Sequence, residues 1–306
     1  MVQIGIMIEG QDGLNWERWT RILQAAEDLG YAFVFRSDHF AFTDPPTKDS
    51  LELWVSLTYA ATLTKRIEFG PMVAPVTFRH PSMTVRMGAQ VDDLSGGRLS
   101  LGLGAGWHEG EHRMFGVPFY DRATRFEMFS DALEVTRLLL DGDGPATYHG
   151  KHFSLENALL LPKPKRKTPV LIGGNGPNKT LPLVARYADE WNGVFINPST
   201  YRERNARLND LLAERGRPES AIKRSIMTRV EYARDASELA ARVNAAGRSQ
   251  AELVEHGLIV GTASQIVDQI GAFADAGVQR FMLQWLDQDD IDRLEHMATH
   301  VLPQLH

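Results

Sequence analysis

The chain is expected to fold as an α/β protein of the (β/α)8, or TIM-barrel, class. Three observations lead there. Short apolar runs of strand length alternate with amphipathic helical stretches about eight times, the pattern of a parallel sheet covered by helices. The length of 306 residues accommodates such a barrel, which typically needs about 250, with room for an insertion. No Gly-x-Gly-x-x-Gly follows the first strand, which disfavours the open doubly wound sheet that is the nearest alternative. The simplest division is one domain over residues 1–306 with an insertion near residues 145–165.

Residues 2–8 are a buried-type strand that ends at Glu9-Gly10. Asn15 caps a helix in which Trp16, Trp19, Ile22, Leu23, Ala26 and Leu29 recur at helical spacing, and Gly30 stops it. Residues 32–35 are a second strand, ending at Arg36-Ser37-Asp38-His39, and Pro45-Pro46 marks a loop. A helix over 51–63, a third strand over 67–73, a helix over 81–94 and a fourth strand over 99–103 follow. Residues 121–140 form a long amphipathic helix, broken by Asp141-Gly142-Asp143-Gly144-Pro145. Residues 147–164 have no helical period, and Tyr148 to Phe153 read as an inserted hairpin. The fifth strand is 170–172, followed by Gly173-Gly174-Asn175-Gly176-Pro177 and a helix through Ala188. The sixth strand is 190–195 with a helix over 201–215, and the seventh is 225–232 with helices around 237–246 and 263–276. The eighth is 281–283, with a closing helix from Asp289 to about Val301.

Composition narrows the chemistry. There are no cysteines, which excludes disulfides, thiolate metal sites and a cysteine nucleophile. A net charge of −6 offers no electrostatic basis for binding nucleic acid or an anionic membrane. No basic n-region with an apolar h-region opens the chain, and no apolar run approaches the roughly 20 residues of a spanning helix. The expectation is a cytoplasmic enzyme acting on a small organic molecule.

In a (β/α)8 barrel the active site lies at the C-terminal strand ends. That rule selects Glu9, Asp38, His39, Met72, Val73, 104–109, 173–176, Asn192 and Gln284. No lysine stands there for a Schiff base, and no Gly-x-Ser-x-Gly elbow is present. Asp38-His39 is the sharpest pair, because an imidazole titrates near neutrality and can stabilise a developing anion; the bland reading is a loop pair capping the next segment. Strand alternation would send only one of the two to the barrel mouth. The glycines at 173, 174 and 176 precede a helix, where backbone N–H groups can approach a phosphate; a plain tight turn is the bland alternative.

The stretch 96–116 draws two chemistries. Ser95-Gly96-Gly97 turns into the fourth strand, which ends in Gly104-Ala105-Gly106 and then Trp107, His108, Glu109, Glu111 and His112. His108-Glu109-x-x-His112 matches the zinc-protease pattern, which needs both histidines on one helix face and a third ligand. Here the pattern follows Gly-Ala-Gly-Trp, contains Gly110 and lacks a marked third ligand, so no metal site is assigned.

Several segments together resemble a known family. They are Ile4 to Gly10, Phe35-Arg36-Ser37-Asp38-His39-Phe40, Phe78-Arg79-His80-Pro81, Asp93-Leu94-Ser95-Gly96-Gly97-Arg98-Leu99 running into Gly102 to Trp107, Ala185 to Asn192, and Ala276 to Phe281. In this order and spacing they resemble the luciferase-like monooxygenase superfamily, specifically its F420-dependent oxidoreductase branch. The resemblance implies a (β/α)8 barrel, usually dimeric, with a flavin or deazaflavin at the C-terminal mouth. It implies that Asp38 and His39 meet the cofactor ring, His39 being the catalytic proton donor or charge stabiliser. It implies a non-prolyl cis peptide at Met72–Val73 behind the ring. It places Gly106, Trp107 and Val194 against the cofactor, and Gly173, Gly174 and Gly176 around its tail. Some deazaflavin dehydrogenases of the family carry a catalytic Glu where this chain has Trp107, with Glu109 two residues on; that departure counts against a sugar-phosphate or alcohol dehydrogenase.

The leading expectation is an oxidoreductase moving a hydride between coenzyme F420 and an organic substrate. An FMN-dependent monooxygenase is the alternative in the same fold, and a non-catalytic flavin-binding protein and a zinc hydrolase are more distant ones. Aromatic residues Phe40, Trp54, Trp107, Phe195 and Trp285 are candidate walls of a flat apolar site, or else core. On this reading Gly104-Ala105-Gly106 is bare because side chains would collide with a flat cofactor, and His108, Glu109 and His112 form a rim.

Overall fold

The structure, a computed structural model, describes residues 2–41 and 47–305. The expected loop at Pro45-Pro46 lies outside the described residues. In chain order the elements are β1 (Gln3–Ile8), α1 (Trp16–Asp28), β2 (Phe33–Arg36), α2 (Leu53–Leu63), β3 (Glu68–Pro71), β4 (Ala74–Pro75), α3 (Pro81–Leu94) and β5 (Leu101–Gly104). Then come α4 (Glu109–Met114), α5 (Arg122–Asp141), β6 (Ala146–His149), β7 (Ser154–Ala158), β8 (Val170–Gly173), α6 (Thr180–Tyr187), β9 (Glu190–Val194) and α7 (Pro198–Ala213). The chain finishes with β10 (Lys223–Tyr232), α8 (Ala236–Ala245), α9 (Gln250–Glu255), β11 (Ile259–Gly261), α10 (Ala263–Asp275), β12 (Arg280–Gln284) and α11 (Ile291–Val301).

The strands run β3-β2-β1-β12-β10-β9-β8-β5-β4, paired in parallel throughout. A parallel bridge between Phe69 and Leu99 joins the two ends of this path, supported by Phe69 N–H to Arg98 O at 3.1 Å and Ser100 N–H to Phe69 O at 2.9 Å. The expected (β/α)8 barrel is therefore the observed one. The insertion is an antiparallel pair, β6 with β7. Three elements were not expected: α4, α9, and β11, which extends the sheet beside β10. The third strand is also divided, because the cis peptide Met72–Val73 separates β3 from β4.

Alternation along the strands divides the apolar residues into two layers. One fills the space between sheet and helices. The other, with Met7, Phe33, Phe35, Met72, Leu171, Met227 and Met282, fills the barrel itself. The lower end is closed by Arg280, buried and bound to Glu190 and Glu68 at 2.6 Å each. Asp92 pins the β5 entry by accepting from Leu99 N–H (3.0 Å), Arg166 (2.8 Å) and Thr168 (2.8 Å). Arg98 donates to the carbonyl of Ala61 in the last turn of α2 and to those of Thr64 and Ile67 beyond it. Asp92 and Arg98, either side of the Ser95-Gly96-Gly97 turn, thus position β5, and with it the loop that follows. Among the described residues no helix is long and apolar enough to cross a membrane.

Candidate active site

At the C-terminal ends of the strands a cavity of about 290 Å³ opens, lined predominantly by apolar surface. Asp38 and His39 lie beyond the end of β2, so strand alternation no longer governs them and both line the cavity. Met72, Val73, Gly106, Trp107, Gly173, Gly174 and Val194 line it as well. Gly176 does not: a Cβ there would meet Thr180 Oγ1 at 2.9 Å, and its carbonyl accepts from Thr180 and Leu181 N–H at 3.0 Å each, so it shapes the start of α6. A larger polar groove of about 800 Å³ lies between the β1–α1 and β12–α11 loops. Its Arg18, Arg242 and Arg293 are paired with its own Asp289, Asp287 and Asp290.

In the cavity wall His39 is paired with a residue that sequence reasoning did not single out. Glu111, on α4 and 1% exposed, accepts from His39 Nδ1 at 2.6 Å and from Phe40 N–H at 2.8 Å. The acceptor-only carboxylate dictates that Nδ1 carries a proton, leaving Nε2 as the working nitrogen. Burial is the largest influence on His39 and pulls its pKa down, but the hydrogen bond and charge of Glu111, with smaller help from Glu9 and Asp38, outweigh it and raise the pKa above the ordinary imidazole value. A loop crowded with His and Glu after a strand end was the only signal for Glu111, and it does not say which carboxylate turns inward.

Asp38 is nearly fully buried. Arg79 donates Nη1 to its Oδ2 at 2.5 Å and Nη2 to its Oδ1 at 3.3 Å, and reaches Glu52 at 2.7 Å. Burial raises the Asp38 pKa despite the opposing charge of Arg79. Arg36 beneath it donates to Ser56 Oγ and Leu51 O, and burial lowers its pKa to about 10. Glu9 accepts from Gln284 (2.6 Å) and Gln11 (2.9 Å), and Gln11 in turn accepts from Ser37 Oγ (2.8 Å), which ties the β1 end to the Ser-Asp-His segment.

The bare strand end of β5 has a different cause from the one expected. A Cβ on Gly104 would lie 2.5 Å from Val73 Cγ2, and one on Gly102 would lie 2.0 Å from Pro71 O. These glycines make room for β3 and for the cis Met72–Val73 bulge, not directly for a ligand. Gly106 has φ +78°, and a Cβ there would meet Thr77 Oγ1 at 2.8 Å. Val73, held between β5 and β8, is the surface that faces the cavity.

His112 is no rim residue. It is buried and lines the cavity, with Nδ1 bonded to His108 O (2.7 Å) and Nε2 to Thr77 Oγ1 (2.8 Å). Both its nitrogens are committed, so the His-Glu-x-x-His reading loses its second ligand although the segment does include a short helix. Among the described residues no group of three or more metal-ligating side chains comes together. Of the five candidate aromatic walls, only Trp107 lines the cavity; it is mostly exposed, stacks on His108 (4.8 Å between centroids) and meets His39 edge-on (5.7 Å). Phe40 stacks on Phe78, Trp54 and Trp285 are core, and Phe195 is at the surface.

On the far side, Asn175 fastens the β8–α6 loop to β9, giving Nδ2 to Val194 O (2.6 Å) and accepting Val194 N–H (2.9 Å). Trp191 Nε1 holds Gly174 O at 2.9 Å. Residues 2–251 match the family described as luciferase-like monooxygenase. The chain belongs to the luciferase-like monooxygenase family.

Among relatives of this family member, an F420-dependent glucose-6-phosphate dehydrogenase of Microbacterium testaceum is 29% identical over 213 residues, which is 68% of this chain and 62% of that protein. The chain thus spans about three-fifths of that relative's length. Two solved structures share the fold. An F420-dependent secondary alcohol dehydrogenase in complex with an F420–acetone adduct has a TM-score of 0.85 at 22% identity, covering 100% of this chain and 99% of that one. The monooxygenase RslO1 from Streptomyces bottropensis has a TM-score of 0.82 at 19% identity, covering 99% and 100%.

Proposed function

We propose that this luciferase-like protein is an F420-dependent oxidoreductase that moves a hydride between the deazaflavin and a small organic substrate. The observation that carries the reading is the His39–Glu111 pair at the wall of an apolar cavity that Val73 on the cis bulge also lines. The residues suit a flat cofactor: an apolar face at Val73, flanking glycines on β5 and β8, and a loop at 174–179 entering a helix. The deazaflavin, when bound, supplies the hydride chemistry.

The protein's part is proton management and exclusion of water. Neutral His39, with Nδ1–H held by Glu111, offers Nε2 to accept the proton of a substrate hydroxyl as hydride leaves the adjacent carbon. In the opposite direction, protonated His39 donates from Nε2 to the substrate oxygen, and Glu111 stabilises the cationic ring. Asp38 and Arg79 hold the segment in place. Trp107 stands where the resemblance implies a catalytic Glu in some deazaflavin dehydrogenases, which leaves His39 as the acid–base group on this reading.

The reading is tested by titrating the purified protein with F420 and with FMN, following cofactor fluorescence. F420 is expected to bind in preference to FMN. Tight FMN binding with no affinity for F420 would replace this reading with an FMN-dependent monooxygenase, which the likeness in fold to RslO1 keeps in view. F420 binding that His39→Ala leaves without any change in turnover, on a panel of alcohols and carbonyls that the wild type converts, would remove His39 from the chemistry.

A further inference from the structure

The closing helix α11 carries a second pair of histidines at i, i+4 spacing, and it has what the pair at 108 and 112 lacks. His296 and His300 stand one turn apart, their rings stacked with 3.9 Å between centroids and 15° between planes. His300 Nδ1 lies 2.8 Å from His296 O. A carbonyl only accepts, so Nδ1 carries the proton and the neutral ring keeps its lone pair at Nε2. His296 Nδ1 lies 2.7 Å from the hydroxyl of Tyr232, the buried last residue of β10. Among the described residues neither Nε2 has a hydrogen-bond partner. Tyr232, His296 and His300 all lie outside the cavity wall.

Three features suit this pair to a metal ion. Each ring is held at Nδ1 by an oxygen, one a backbone carbonyl and the other a phenol, as the outer partners of metal-bound imidazoles hold theirs. Two nitrogens on one zinc ion at about 2.0–2.1 Å stand roughly 3–4 Å apart, close to the spacing of the stack. Stacked rings also disfavour a charge on both. Burial, His300 and Arg234 together lower the His296 pKa against a smaller opposing pull from Glu238, and the neutral imidazole is the form that ligates. The neighbouring charges are themselves paired, Arg234 with Glu238 and Asp290, and Glu238 also with Arg242 and Arg293. His300 is exposed and His296 half-buried, so water can complete a coordination sphere.

We infer that His296 and His300 form a two-histidine chelate for a divalent transition cation such as zinc, nickel or copper, with water in the remaining positions. Imidazole nitrogens favour such ions over magnesium and calcium, whose ligands are oxygens. Tyr232 is the positioning residue, its hydroxyl accepting from His296 Nδ1–H while Nε2 takes the metal. The bound ion joins two turns of α11 and, through Tyr232, ties the closing helix to β10. With two protein ligands the site agrees with the lack, among the described residues, of any larger ligating group. It does not depend on the cofactor reading above.

The test is calorimetric titration of the untagged full chain with Zn²⁺, Ni²⁺ and Mg²⁺ at neutral pH. Zn²⁺ and Ni²⁺ are expected to bind and Mg²⁺ not to. His296→Ala and His300→Ala should each weaken binding on the order of a hundredfold, because a chelate becomes a single ligand, and Tyr232→Phe by roughly tenfold. Binding should also weaken at about pH 5, where the imidazoles take up protons. Saturating Zn²⁺ should raise the melting temperature of the wild type but not that of His300→Ala. The electron paramagnetic resonance spectrum of the Cu²⁺ complex should show two coordinating nitrogens in the wild type and fewer in His300→Ala. Absence of binding overturns the inference, as does binding that survives both alanine substitutions or is lost in only one of them. If His296→Ala fails to fold, the copper spectrum of the wild type decides, and one nitrogen or none overturns the chelate. Unchanged affinity in Tyr232→Phe overturns the positioning role of Tyr232.

Discussion

Glu111→Gln alters the proposed acid–base pair while nearly preserving its volume. In the native protein both carboxylate oxygens accept, one from His39 Nδ1 at 2.6 Å and one from Phe40 N–H at 2.8 Å. Glutamine offers one acceptor and one donor group. The Phe40 N–H can only donate, so the amide oxygen turns to it and the NH2 group faces Nδ1. Neutral His39 must then present a lone pair at Nδ1 and carry its proton on Nε2, the opposite tautomer. The variant also removes the charge that holds the His39 pKa up, leaving burial to push it down. Because the folded pKa is raised in the wild type, the pair's contribution to stability is fully present below the unfolded imidazole value of about 6.5 and is lost as pH rises through the folded value. A charged hydrogen bond contributes about 1.5–3 kcal/mol, and that is the expected stability gap between wild type and variant at mildly acid pH, narrowing toward alkaline pH. Long-range ¹⁵N–¹H correlation of the His39 ring reads the tautomer, and urea denaturation across pH reads the gap. The same tautomer in both proteins, or a gap independent of pH, would refute the reasoning.

Two further outcomes follow from the site's construction. Gly106→Ala places a Cβ 2.8 Å from Thr77 Oγ1 at φ +78°, and should lower stability by about 1–2 kcal/mol without any cofactor present; an unchanged melting temperature would return that glycine's role to ligand contact alone. Asp38→Ala strips Arg79 of its buried partner and leaves it only Glu52. The expected loss is about 3 kcal/mol in urea denaturation, and a loss below about 1 kcal/mol would mean that the Asp38–Arg79 pair behaves as a surface ion pair.

The barrel was legible because its strands and helices carry their own periods. Strand ends could be located, and with them Asp38, His39, Val73 and Gly174, which the fold brings around one cavity. Less legible was the reason for each small residue. Gly104 and Gly106 stood out as glycines, but whether they clear space for a ligand or for Val73 and Thr77 depends on distances between segments that sequence order does not encode. The aromatic residues failed as a group for a similar cause: Trp54 and Trp285 are buried against the barrel's outer layer, and side-chain type does not distinguish a core face from a cavity wall.

Sequence by itself determined the repeated strand–helix unit, the C-terminal strand ends that the cavity occupies, and the presence of a histidine there. These depend on local spacing and on the chemistry of single residues. Only the tertiary structure decided that Glu111, 72 residues from His39, is its partner, and that His112, one position further, is held by Thr77 instead. Neighbours on the short helix α4 point in different directions, and which of them meets the end of β2 is set by how β5 delivers that helix across the barrel mouth.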